Sequence, residues 1–126
     1  MRTILVDARN TFLTEDGINK DIQSLLDAFP NQKIIVTNAN DEQRITFWIV
    51  DMPYEVFTLK HNPDKTNPKY FETLIATYWF KTNDIIYFEH NSDAVTSAQS
   101  LWITTYHYNK DEKNIEELKN FISNNI

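Results

Sequence analysis

Three apolar runs in this chain end in side chains able to do chemistry. The first, Thr3–Val6, runs into Asp7, and Arg9, Asn10 and Thr11 follow closely. "QKIIV" ends in Thr37 and Asn38, while "DIIYF" ends in Glu89 and His90, with Asp93 soon after. Lys65 stands just ahead of "NPKYF". Three acids drawn into one place cannot all stay ionised without cations. Those cations are either metal ions or side chains such as Lys65 and Arg9, and the residue types leave both open. A zinc centre is not indicated: there is no cysteine, and His61, His90 and His107 lack His-x-x-x-His spacing.

Ligands of open α/β sheets bind beyond the carboxyl ends of the strands, where strand order reverses. The acids therefore have a common site only if their runs are parallel strands. "TILVD" and "QKIIVTN" carry no polar alternation, as expected of strands covered on both faces. "YEVFTL", "DIIYF" and "WITTYHY" read as three further strands. Between them lie helical patterns. Ile22, Leu25, Leu26 and Phe29 recur at helical spacing before Pro30, and a short helix starts at "DEQRI". "NPKYFETLIATYWF" has Pro68 near its start, "SDAVTSAQSL" follows the fourth strand, and Ile115, Leu118 and Ile122 mark a last helix. Strands alternating with helices predict a five-stranded parallel sheet in a three-layer αβα sandwich of Rossmann-like type.

With 126 residues, no linker and no repeat, residues 1–126 read as a single domain. The 41% hydrophobic and 13% aromatic content marks a globular chain. A net charge of −6 disfavours a nucleic-acid partner, which needs clustered Lys and Arg. Neither a secretory leader nor a membrane-length apolar run is visible, so a cytoplasmic protein without membrane attachment is expected. Gly17 is the lone glycine against fourteen asparagines, which fits either a compositional bias or Asn standing in for Gly in left-handed turns. The alternation Trp102, Thr104, Tyr106, Tyr108 fits either a homo-oligomer contact or a covered sheet edge.

In order along the chain, these motifs resemble those of the haloacid dehalogenase-like (HAD) superfamily. "LVDARNTF" matches its first motif through Asp7 and Thr11, "IIVTN" its second through Thr37, and "KTNPKYF" its third through Lys65 and Pro68. "IIYFEHNSDA" matches the fourth through Glu89 and Asp93. The resemblance implies an aspartate nucleophile, Asp7, forming a covalent aspartyl-phosphate. It implies Thr37, Asn38 and Lys65 on the phosphoryl oxygens, with Thr37 and Lys65 aiding catalysis. It also implies Mg²⁺ held by Asp7, the Arg9 backbone carbonyl, Glu89 and Asp93. The expected function is thus a Mg²⁺-dependent phosphohydrolase or phosphotransferase acting on a phosphorylated substrate, small or macromolecular.

The departure is Arg9. Phosphatases of the superfamily carry a second aspartate there, which protonates the leaving group and activates water. Arginine is charged at any working pH and accepts no hydrogen bond, so it does neither. A slow hydrolase is expected unless another group substitutes, and His90 is nearest by sequence. The alternative is a catalytically impaired HAD-fold binding or assembly protein, its acids neutralised by Arg9 and Lys65. Only 25 residues separate Thr11 from Thr37, and 27 separate Thr37 from Lys65, so no cap domain fits. "FWIVDMP" around Asp51 also imitates a receiver domain, but the acidic pair such a domain needs after its first strand is missing.

Overall fold

The computed structural model describes residues 1–126. In chain order the elements are β1 (Thr3–Asp7), β2 (Leu13–Thr14), β3 (Gly17–Ile18), α1 (Lys20–Asp27), β4 (Lys33–Thr37) and α2 (Asp41–Thr46). After these come β5 (Glu55–Thr58), α3 (Lys69–Tyr78), β6 (Ile85–Glu89), α4 (Ser92–Gln99), β7 (Thr104–His107) and α5 (Ile115–Asn125). Five strands form one parallel sheet in the order β5-β4-β1-β6-β7. The chain builds outward from β1 through β4 to β5, then crosses back to add β6 and β7 on the other side. The order reverses at β1, which places the switch point at its carboxyl end.

The unbroken apolar runs have a direct cause. Ile4 and Val6 of β1, Ile35 of β4, and Ile86 and Phe88 of β6 pack on one face with Ile22, Leu26, Leu118 and Ile122 of α1 and α5. Their neighbours Leu5, Ile34, Val36, Ile85 and Tyr87 pack on the other face with Tyr70, Phe71 and Leu74 of α3 and Ala98 of α4. Every residue of β1 and β6 is buried. Alternate residues serve opposite layers, so an alternating polar face would have nowhere to go.

Asparagine caps helices more often than it takes left-handed turns. Only Asn10 is left-handed, at φ 65°, while Trp48, Asp51, Lys60, His61, Trp79, Trp102 and Lys113 take the other non-glycine left-handed positions. Asn19, Asn40, Asn91 and Asn114 instead cap α1, α2, α4 and α5, each accepting from backbone N–H groups of the first turn. Those donors have no partner within the helix, and a short amide oxygen satisfies them.

The β2–β3 hairpin is absent from the sequence reading. Its strands are two residues long, joined through Glu15 and Asp16, with Gly17 at φ 103°. Leu13 N–H donates to the Ala8 carbonyl and Asn10 N–H to the Leu13 carbonyl, folding the segment after β1 back on itself. No inserted domain stands in either interval: β1 and β4 are separated by the hairpin and α1, β4 and β5 by α2. Tyr106 of the last strand stacks on Phe121 of α5, and Tyr108, just past the strand's end, is buried, so the chain itself covers these two positions. Trp102 remains 88% exposed ahead of the strand. No helix is long and apolar enough to cross a membrane.

Candidate active site

Asp7, Thr37 and Glu89 are the last residues of β1, β4 and β6, so the parallel sheet delivers them to one rim. Lys65 reaches the same place from the loop before α3. All four line one cavity of about 320 Å³, with Arg9, Asn38, Phe47 and His90 also in its wall. That volume falls at the small end of the range, about 300–1,000 Å³, usual for small-molecule sites.

Lys65 is the hub. Its Nζ donates to Asp7 Oδ1 and Glu89 Oε1, both at 2.7 Å, and to the Val36 carbonyl at 3.4 Å, which uses all three ammonium donors. Lys65 is 7% exposed, Asp7 1% and Glu89 not at all. Burial alone would lower the Lys65 pKa; the charges of Asp7 and Glu89 override it and hold the ammonium above its usual value. Burial alone would likewise raise Asp7, but the Lys65 charge and the His90 hydrogen bond keep it well below the usual carboxylate range. Glu89 goes the other way, raised by burial and then by the charge of Asp7. The result is one firmly ionised carboxylate beside one that resists ionisation.

The second oxygens of the two acids converge on His90. Its Nδ1 lies 2.5 Å from Asp7 Oδ2 and 3.2 Å from Glu89 Oε2. Hydrogen bonds to Asp7 and then Glu89 push its pKa up to about 9, so the ring is an imidazolium at neutral pH. Thr11 Oγ1 donates to the same Asp7 oxygen at 2.6 Å. The His90 backbone is pinned in turn, its carbonyl lying 2.8 Å from His107 Nε2. The His90 Nε2 makes no hydrogen bond within the protein.

The remaining sequence-derived candidates divide. Thr37 lines the cavity, its Oγ1 accepting from Ala39 N–H. Asn38 also lines it and accepts from the Lys65 backbone N–H at 2.7 Å, so it positions the lysine loop as well. Asp93 lies apart. It is exposed in the first turn of α4 and outside the cavity wall, because Asn91, not Asp93, caps that helix. Arg9 also differs from the neutralising partner considered above. It forms no ion pair with the acids; its guanidinium carbon sits 4.0 Å over the Phe47 ring. His90 is the second internal cation.

Two tyrosines of the site went unmarked in the sequence. The Tyr87 hydroxyl donates to Glu89 Oε1. The Tyr70 hydroxyl accepts from Thr37 N–H at 3.1 Å and lies 2.9 and 3.0 Å from the carbonyls of Thr37 and Phe57, tying the ends of β4 and β5 together. Both read as core aromatics, and their hydroxyls were the only available signal, since a buried phenol needs a partner.

For a hard cation, the donor chemistry fits. One ligand atom from each of Asp7, Glu89 and His90 lies within 4.8 Å of the others. The Arg9 carbonyl takes no part in the turn hydrogen bonds of its segment, which leaves a further oxygen ligand. Imidazolium and metal ion would compete for the same carboxylate oxygens.

Comparison with known proteins agrees with this geometry at the level of fold. No protein-family model matches the sequence, and no curated protein does. Among solved structures, the chain is similar to a HAD-family enzyme from Bacteroides thetaiotaomicron, crystallised as an aspartate-to-alanine mutant with magnesium and inorganic phosphate. The TM-score is 0.64 at 12% identity, covering 85% of this chain and 93% of that one. It is similar to the core domain of a Streptococcus pneumoniae protein to which phosphoglycolate phosphatase activity has been ascribed, with TM-score 0.59, 15% identity, and 85% and 79% coverage. An uncharacterized Corynebacterium glutamicum protein matches with TM-score 0.63 and 14% identity over 98% of this chain and 96% of that one. The fold is HAD-like.

Proposed function

We propose that this chain is a phosphohydrolase or phosphotransferase with Asp7 as its nucleophile. The observation that carries the reading is the Asp7 carboxylate: buried at the switch point, kept ionised by Lys65 and His90, and set in the wall of a cavity of substrate size. An Asp7 oxygen attacks phosphorus, the new aspartyl-phosphate bond forms, and the ester P–O bond breaks. Lys65, Thr37 and Asn38 bind the phosphoryl oxygens. The long 3.4 Å bond from Lys65 to the Val36 carbonyl is the one most easily exchanged for such an oxygen. The departing oxygen takes a proton from His90, whose Nε2 has no partner within the protein, in place of the acid that Arg9 cannot be. Water then hydrolyses the acyl-phosphate and regenerates Asp7.

Asp7, Glu89 and the Arg9 carbonyl would hold Mg²⁺, the two acids through carboxylate oxygens that the His90 ring would give up, its proton going to the leaving oxygen. When bound, the ion supplies the charge that lets an anionic nucleophile meet an anionic phosphoryl group. Beryllofluoride, a phosphoryl mimic that adds to aspartate, tests the reading. With millimolar Mg²⁺ it should raise the melting temperature of the wild type and leave Asp7→Asn unmoved. No shift in the wild type, or an equal shift in the variant, overturns the assignment.

A further inference from the structure

Three cations line the cavity, and they differ in what they touch. Lys65 and His90 direct their charge at Asp7 and Glu89. Arg9 has no carboxylate within ion-pair distance and no hydrogen bond to any side chain or carbonyl. Its guanidinium is nevertheless not loose. It lies 4.0 Å over the ring of Phe47, which is itself half-buried against the core layer of α1 and α5. Stacking uses the face of the guanidinium and leaves its N–H edge open. A planar fork held by its face and open at its edge is shaped for a bidentate anion.

From this unpaired, stacked fork beside the nucleophile, we infer that Arg9 selects substrates carrying a second anionic group, a carboxylate or a further phosphate, in addition to the phosphoryl group that reacts. The inference rests on the phosphoryl-site reading and extends it to the substrate's other end. Arg9 and Asp7 line the same cavity, and the Arg9 guanidinium is stacked on Phe47 rather than paired with either acid, so one ligand can engage both residues. The surrounding chain is acidic, at −6, so the cavity cations are the local features that favour a doubly anionic ligand. Phe47 reduces the side-chain freedom that Arg9 must give up on binding.

Non-hydrolysable phosphonates separate the two readings. Methylphosphonate presents the reacting group alone; phosphonoacetate and its longer homologues add a carboxylate at increasing distance. Binding to the full chain is measured by calorimetry, with inorganic phosphate as competitor and melting temperature as the folding control. At least one carboxylated member should bind about tenfold or more tightly than methylphosphonate, the gain expected of one charge-assisted contact. In Arg9→Gln that ratio should fall toward one. Arg9→Lys, which keeps the charge and loses the fork, should fall between and carries the test if Arg9→Gln does not fold. If none of the phosphonates binds the wild type, the phosphoryl site itself is wrong and the inference goes with it. If methylphosphonate binds and phosphate competes, but the carboxylated ligands bind no better or keep their advantage in Arg9→Gln, the inference alone is overturned.

Discussion

Lys65 and Asp7 are 58 positions apart in sequence, and their Nζ and Oδ1 atoms lie 2.7 Å apart. The lysine is committed equally to Glu89, so one ammonium, with the His90 ring on the second oxygens, holds two almost fully buried carboxylates. This pair makes the site a structural element as well as a chemical one.

Lys65→Met should therefore destabilise the protein by about 3–5 kcal/mol, since it leaves buried charge uncompensated. Adding Glu89→Gln to Lys65→Met should restore part of the loss, because one of the two carboxylates is then neutral. Urea denaturation of the single and double variants reads this out. Equal stability of wild type and Lys65→Met would mean the two acids are not held as described.

His90 gives the stability a pH dependence of definite sign. Its pKa is near 6.5 in the unfolded chain and is raised to about 9 in the fold. Between those values the folded state binds the extra proton, so the stabilisation is complete below pH 6.5 and is lost as pH rises through 9. The ring is half-buried, so solvent screening reduces the effect. Melting temperatures of metal-free protein should decline across that window in the wild type and decline less in His90→Gln. A flat wild-type profile would show that the imidazole is not charged where it sits.

Much of this was legible in the sequence, for a physical reason. Both faces of β1, β4 and β6 are buried, so their unbroken apolar runs declare them, and a parallel sheet then forces Asp7, Thr37 and Glu89 to one rim. What stayed hidden depends on side-chain direction. The spacing of Asp93 from Glu89 suggested a second ligand, but where Asn91 starts α4 decides where that carboxylate points, and it is exposed. The β2–β3 hairpin leaves no pattern, since two-residue strands are too short to show a period. Nothing in "ARNTF" reveals that Phe47, far along the chain, takes up Arg9.

Asp93 and Glu89 should consequently differ in a Mg²⁺ titration followed by thermal shift. Asp93→Asn should keep the wild-type response, whereas Glu89→Gln, at the buried centre, should lose it. Loss in both variants would return Asp93 to the ligand set, through a rearrangement of the first turn of α4.

Arg9→Asp is the most direct probe of why this position is basic. A carboxylate here could activate the water that hydrolyses the acyl-phosphate, a task no side chain of the wild type is assigned, and such help is worth about a hundred- to ten-thousand-fold. The exposed Arg9 side chain packs only on the partly buried Phe47 ring, so the substitution should leave the fold intact. Hydrolysis of a generic aryl phosphate, which has no second anion, should therefore rise. A doubly anionic ester should gain less or lose, because the same change removes its binding group and places a negative charge there. Opposite effects on the two substrates would separate the loss of proton transfer from the gain of selectivity at one residue. If the wild type already turns over the aryl phosphate rapidly, arginine at this position limits nothing, and His90 supplies all the acid–base help the reaction needs.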